Sequence, residues 1–324
     1  MKTTTPQEFC QCLSELPQTF ILTSHKNPDG DGLGAMFSMG EGLKAFGKTI
    51  HYVLDAPVTD YYRFLEEHSE LVHEMPATPG KTVLMSFDCG SKERIGLPEG
   101  TRIEDYFYIN LDHHLSNSGF GDINLVRVDA LSSCEIVYDL LRGLEITISP
   151  SMATGLYLGT VYDTGRFAYC HSPRAFEVAA DLLKLGADHW AVFNALFRHN
   201  DFDDFSAMGE FYASLEQTHD GKLVTLDVQK DKTHKLSLEE TENLINEISN
   251  IKGLEIAIIF KYIEENSTKI SFRSRGKYSV CDIALAVGGG GHRNASGAIM
   301  HHDFLTSKRL VLDKVNEVMG ETPQ

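Results

Sequence analysis

Apolar positions along the first half of the chain alternate between short strand-like runs and stretches of helical spacing. Short apolar runs at 20–25 (FILTSH), 51–55 (HYVLD), 82–88 (TVLMSFD) and 106–112 (YFYINLD) have the β-branched and aromatic content of buried strands. After the first run, Leu33, Met36, Phe37, Leu43 and Phe46 recur at helical spacing, and Gly47 follows as a stop. SCEIVYDLLRGL (133–144) and SMATGLYLGTVY (151–162) predict buried helices. Ser172 and Pro173 supply an N-cap and a first-turn residue for a further helix that Gly186 closes. Strands alternating with helices predict an α/β fold, with a mostly parallel N-terminal sheet and helices on both faces.

The pattern changes after about residue 190. Residues 191–215 predict a helical connector, which leaves 1–190 as a first domain and 216–324 as a smaller C-terminal α/β domain across a cleft. In that second domain, KLVTLDV (222–228), LEIAIIFKYIEE (254–265), KISFRSR (269–275) and SGAIM (296–300) predict strands. Ser237 with Glu240 predicts a capping box, and SKRLVLDKVNEVMG predicts a closing helix.

Composition narrows the functional classes. A chain of 324 residues with 42% hydrophobic content can bury two cores, so intrinsic disorder is excluded. The formal net charge of −17 argues against a protein that coats long duplex nucleic acid, which requires a broad basic face. A small anionic substrate held by metal ions and a local basic patch remains compatible with it. Six cysteines without paired CxxC units point away from a zinc ribbon or a disulfide framework. No apolar run is long enough to span a bilayer, and the first residues lack the apolar core of a signal peptide, so a soluble, cytoplasmic protein with no membrane partner is expected.

The chemistry lies in four clusters that follow predicted strands or a buried helix. They are SHKNPDGDG with His25, Asp29 and Asp31; SFDCGS with Asp88; NLDHHLSN with Asp112, His113 and His114; and VYDTGRF with Asp163. Singly, each reads as a polar turn. Together they are ligand-type residues at element ends, and the carboxyl ends of parallel strands converge on one crevice. Two imidazoles and four carboxylates (His25, Asp29, Asp31, Asp88, His113, Asp163) suit Mn²⁺ or Mg²⁺, and could accept other divalent metals such as Zn²⁺ or Fe²⁺. Six side chains exceed the need of one ion, whereas two ions about 3.5–4 Å apart would use them and could activate a bridging water as hydroxide. The histidines argue against a Ca²⁺-binding structural protein.

HKNPDGDG, SFDCG, LDHH and YDTG, in this order, resemble the four motifs of the DHH phosphoesterases, and GGGGHRNASG (288–297) resembles the signature of the DHH-associated domain. The resemblance spans residues 18–300 and is closest in type to the stand-alone nanoRNase/pAp-phosphatase and cyclic-dinucleotide/pApA phosphodiesterase members. It implies that His25, Asp29 and Asp88 hold one Mn²⁺. Asp31, Asp88, His113 and Asp163 would hold the second, with Asp88 as the bridge. Asp112 would orient a ligand histidine. His114 would face the scissile phosphate as charge stabiliser or proton donor. In the second domain, Lys269, Arg273, Arg275 and Lys277 fall on one face if 269–277 is all strand. By resemblance, Arg275, Gly290, Gly291 and His292 bind the phosphate or base of the substrate, with Arg273 beside them.

One departure stands out: where many members carry an arginine after YDTG, this chain has Ala168, with Arg166 two residues earlier, so either Arg166 substitutes as a phosphate contact or substrate preference differs. The remaining histidines, among them His171, His189, His199 and His234, lack such a context and read as structural or surface residues. The expected function is a Mn²⁺-dependent phosphoesterase acting on short RNA oligonucleotides or small nucleotides, including pApA and 3′-phosphoadenosine 5′-phosphate. The alternatives are a cyclic di-AMP phosphodiesterase, an inorganic polyphosphate or pyrophosphate hydrolase, or a non-catalytic nucleotide-binding module. The resemblance also admits a homodimer.

Overall fold

The computed structural model describes residues 4–66, 70–77, 81–168, 170, 172–198, 202–230 and 244–320, without the side chains of Glu66, Asp204 and His292. The capping box expected at Ser237 and Glu240 lies outside the described residues, as do His171, His199 and His234. The chain divides into two compact units, 1–199 and 200–324.

The first unit is built on six strands: β1 (Thr19–Ser24), β2 (Thr49–Val53), β3 (Leu71–Val72), β4 (Thr82–Phe87), β5 (Phe107–Asp112) and β6 (Ile123–Val126). Their order is β3-β2-β1-β4-β5-β6 and every pairing is parallel. Successive side chains alternate between the faces. Phe20, Leu22, Val83, Met85, Ile109 and Leu111 enter the main core against α2 (Gly30–Ala45), α3 (Ser133–Gly143) and α4 (Pro150–Asp163). Ile21, Val53, Leu84 and Tyr108 enter a smaller cluster on the other face with Cys89 and Ile95. The short strands β3 and β6 and an opening helix, α1 (Pro6–Cys12), were not foreseen from the pattern.

Strand order reverses between β1 and β4, because β2 and β3 lie to one side of β1 and β4 to β6 to the other. A crevice forms at the carboxyl ends of strands at such a reversal. The His25–Asp31 segment follows β1, Asp88 follows β4, and Asp112 ends β5.

Glycines bring the helices that flank this crevice close together. A Cβ on Gly34 of α2 would land on the carbonyl oxygen of Gly155 in α4, and one on Gly159 would land on Cys134 Sγ. Since α2 carries Asp31 and α4 ends in Asp163, the close approach sets the separation of two site residues. Gly34→Ala is expected to cost about 1–3 kcal/mol through overpacking and to lower Tm by several degrees in a thermal melt. An unchanged Tm would contradict the close contact.

In the second unit, β7 (Glu216–Thr218), β8 (Leu223–Val228), β9 (Ile256–Glu264), β10 (Ser267–Ser274), β11 (Gly290–His292) and β12 (Ala295–Met300) lie in the order β11-β12-β10-β9-β8-β7, with β8 parallel to β9 and the remaining pairs antiparallel. One face packs on α8 (Val280–Ala286) and α9 (Phe304–Met319) through Ile258, Phe260, Phe272, Ile283 and Val311. The expected strand at 269–275 corrects to β10 (Ser267–Ser274). Ser274 Oγ accepts from Gly276 N and donates to the Tyr278 carbonyl, a side-chain turn that ends the strand. Arg275 and Lys277 therefore lie past it, and the alternation of one strand face holds only for Lys269 and Arg273. Arg273 donates to Asn246 Oδ1 at 2.9 Å. Gly290–His292 is a short strand, β11, paired with β12 (Ala295–Met300), so part of the glycine run is hairpin.

Candidate metal centre

The loop after β1 turns into α2 at Asp29, the N-cap of that helix. Its Oδ1 accepts from Asp31 N and Gly32 N, at 2.9 and 3.1 Å. Its other oxygen stands 3.7 Å from His25 Nε2. Asp29 thus serves the helix with one oxygen and the site with the other. Asp31, fully buried, accepts from the backbone N–H groups of Ser133 and Cys134 at the start of α3, at 2.6 and 2.9 Å. Asp88 has a left-handed φ of 59°, and its N–H donates to the Leu111 carbonyl on β5. That conformation, which Asp tolerates better than most residues, swings its carboxylate back over the strand ends.

The two expected ligand histidines are oriented in the same way. His25 donates Nδ1–H to the Lys26 carbonyl at 3.0 Å, and His113 places Nδ1 3.4 Å from the Ala130 carbonyl. Each Nε2 is thereby turned toward the carboxylates. His25 Nε2 lies 3.6 Å from Asp88 Oδ2, while His113 Nε2 lies 3.5 Å from Asp88 Oδ1 and 2.9 Å from Asp163 Oδ2. His25 Nε2 is buried with no hydrogen-bond partner. Buried polar atoms are seldom left so, and a lone pair kept open beside carboxylates fits a metal ligand.

Three groups of donor atoms lie within 4.8 Å of one another: His25, Asp29 and Asp88; Asp31, His113 and Asp163; and Asp88, His113 and His114. The first two groups contain the six expected ligands, and Asp88 of the first stands 3.5 Å from His113 of the second. His114 stands beside these groups, its Nδ1 3.5 Å from Asp88 Oδ1. Its Nδ1 is 2.7 Å from Asp112 Oδ1, and Asp112 Oδ2 accepts from Asn117 Nδ2 at 2.6 Å. Asp112 is fully buried and faces His114, so it orients this histidine.

Crowding shows in the acidities. Burial, with Asp163 adding to it, pushes the Asp31 carboxyl up to about 7. Burial, with Asp31 and Asp29 as charged neighbours, pushes Asp88 up to about 7 as well. Burial raises Asp163 to about 6, against the pull of His113. Burial resists charge on His113, yet Asp163 and Asp31 outweigh it and bring the ring to about 10. Carboxylates packed this closely keep protons until a cation replaces them.

A profile of the DHH family N-terminal domain matches residues 19–160, and one of the DHHA1 domain matches 220–321. A bifunctional oligoribonuclease and PAP phosphatase, NrnA, from Thermus thermophilus is 33% identical over 95% of this chain and 90% of its own. The chain belongs to the DHH family. Membership makes it a metal-dependent hydrolase of phosphoester bonds. This DHH protein shares its fold with an exopolyphosphatase-related protein from Bacteroides fragilis, at a TM-score of 0.85 and 21% identity over 96% of each chain. RecJ of Thermus thermophilus in complex with Mn²⁺ matches at a TM-score of 0.56 and 15% identity, over 96% of this chain and 55% of RecJ.

The other expected residues divide between the two units. Arg166, exposed, stacks its guanidinium 4.2 Å above the Phe197 ring of α6 (His189–Phe197), in a turn where Gly165, Arg166 and Phe167 all have positive φ. Arg273, Arg275, Gly290, Gly291 and His292 belong to the second unit. Two residues at the DHH centre escaped the sequence reading: Ser133, whose Oγ donates to Asp88 Oδ1 at 3.1 Å, and Asn117. Asn117 lies inside the quoted NLDHHLSN cluster, which was the available signal. Ser133 gave none beyond that of a helix start. No helix among the described residues is long and apolar enough to cross a membrane.

The acidities predict how metal binding depends on pH. Asp31 and Asp88, with ordinary values of 3.8, hold protons up to about 7 in the fold. Their contribution to stability is full below pH 3.8 and is lost as pH rises through about 7. His113, ordinarily 6.5, loses its contribution as pH rises toward about 10. Stripped protein should therefore melt at lower temperature at pH 8 than at pH 6. Divalent metal displaces these protons, so the gap in Tm between loaded and EDTA-treated protein should widen over that range. A gap that narrows would contradict the assignment.

Proposed function

We propose that this chain is a Mn²⁺-dependent phosphodiesterase that releases mononucleotides from short oligoribonucleotides, pApA included, and converts 3′-phosphoadenosine 5′-phosphate to AMP. The observation that carries this reading is the pair of three-residue ligand groups, linked by the 3.5 Å approach of Asp88 to His113. The substrate class rests on the likeness to the oligoribonuclease and PAP phosphatase of Thermus thermophilus.

His25, Asp29 and Asp88 would hold one ion, and Asp31, Asp88, His113 and Asp163 the second. Bound divalent ions supply positive charge for the phosphoryl oxygens and acidify water at neutral pH. The protein's own groups do the rest. Asp112 holds the His114 ring by Nδ1 and raises its affinity for a proton, so the other ring nitrogen carries a proton toward the substrate. There it stabilises charge on the phosphoryl oxygens and supplies a proton to the leaving oxygen. Arg166, three residues beyond Asp163, is proposed as a phosphate contact. Arg275, with Gly290, Gly291 and His292, is proposed for nucleotide recognition. Arg273, already bonded to Asn246, takes the lesser part there.

The test is a panel assayed with Mn²⁺: pApA, RNA of two to five and of twenty-four nucleotides, 3′-phosphoadenosine 5′-phosphate, cyclic di-AMP and polyphosphate. Release of mononucleotides from pApA and the shortest RNAs, with AMP from the bisphosphate, is expected. Preference for cyclic di-AMP or polyphosphate would replace the substrate class, and no turnover of any member would return the chain to a binding role.

A further inference from the structure

The start of α3 is occupied with the site to a degree that helix capping does not require. Ser132 is the N-cap, and its hydroxyl accepts from Glu135 N at 3.1 Å. Glu135 reaches back to Leu131 N at 3.1 Å and pairs with Arg127 at 3.0 Å, which fixes the turn. The Ser133 hydroxyl is therefore left over by the helix. It donates to Asp88 Oδ1 at 3.1 Å, while Ser133 N and Cys134 N donate to the two oxygens of Asp31.

We propose that Ser133 is a positioning residue, whose hydroxyl and backbone N–H set the orientation of Asp88 and Asp31 for metal binding. The last torsion of an aspartate is broad and nearly two-fold, so backbone placement alone leaves its oxygens undetermined. With Oδ1 held by Ser133, Oδ2 of Asp88 is directed to His25 Nε2, the buried atom without a partner, and Oδ1 stays with His113. One carboxylate is thus divided between the two ligand groups. The backbone donors add the partial positive charge of a helix start to Asp31. This inference rests on the proposed metal centre and adds to it the residue that aligns the shared ligand.

The test is calorimetric titration of EDTA-stripped full-length protein with Mn²⁺, beside kcat and KM for pApA. Ser133→Ala is expected to weaken Mn²⁺ binding about ten- to a hundredfold and to lower kcat with little change in KM. Ser133→Thr, which keeps the hydroxyl, should restore most of the affinity. Ser132→Ala, which removes only the cap, should lower Tm and leave Mn²⁺ affinity as in the unaltered chain. Unchanged Mn²⁺ affinity in Ser133→Ala, or equal losses in the Ser132 and Ser133 variants, would overturn the positioning role. Failure of the unaltered protein to bind Mn²⁺ would overturn the metal centre itself.

Discussion

Asp88→Asn is expected to abolish metal binding at both ligand groups and to reduce activity by more than about a thousandfold. Asparagine is the informative replacement, because it keeps the size of the side chain and tolerates the φ of 59° that alanine would strain. Asp88 approaches both ligand histidines, His25 at 3.6 Å and His113 at 3.5 Å, with its two oxygens. The fold should survive. Asp88 is buried at 3% exposure beside Asp29 and Asp31, and a neutral amide relieves that repulsion. Stripped Asp88→Asn protein should therefore melt at or above the temperature of the stripped parent. Two tightly bound ions retained by the variant would contradict the shared-ligand assignment.

Asp112→Asn should separate orientation from metal binding. The Asp112 carboxylate accepts from His114 on one oxygen and from Asn117 on the other. Burial pushes this carboxyl up, but the bonds to His114 and Asn117 outweigh it and keep it ionised. An amide cannot accept on both sides. Either its NH₂ meets the Asn117 NH₂, or Asn117 turns over and gives up the Cys89 carbonyl that it also holds, at 3.1 Å. His114 loses its charged partner, and its proton affinity falls back toward the ordinary 6.5. Activity is expected to drop about 10²- to 10⁴-fold with Mn²⁺ binding nearly intact. The deficit relative to the parent should be largest above pH 7 and shrink as pH falls, when the ring is protonated without help. A pH-independent deficit would contradict the role given to Asp112.

Much of the site was legible because its chemistry is confined to short segments at the ends of regular elements. The short apolar runs of β1, β4 and β5 placed His25, Asp88 and Asp112 at strand ends, and parallel order brought those ends together. The donor groups draw on residues named from the sequence, whereas Asp112, expected to orient a ligand histidine, faces His114 instead. The second unit was read less well. Even spacing from Lys269 to Lys277 suggested one basic face, but a serine turn at Ser274 ends the strand first. Such a turn depends on a side chain bonding its own backbone, which hydrophobic periodicity does not record. Ser133 escaped for a related reason: beside Ser132 it reads as a second capping residue, and only the packing of α3 against the strand ends assigns its hydroxyl to Asp88. The order of α2 against α4 was likewise hidden, since nearly every side of α4 is buried and an all-round apolar helix has no periodicity to read.

Activity on an RNA dinucleotide, followed while Mn²⁺ is added back to EDTA-stripped protein, tests the central claim most directly. Stripped protein should be inactive, and activity should rise with added Mn²⁺ and level off at two ions per chain, with Ca²⁺ giving no comparable recovery. Turnover by stripped protein, or full activity at one ion per chain, would contradict a paired metal centre built on Asp88.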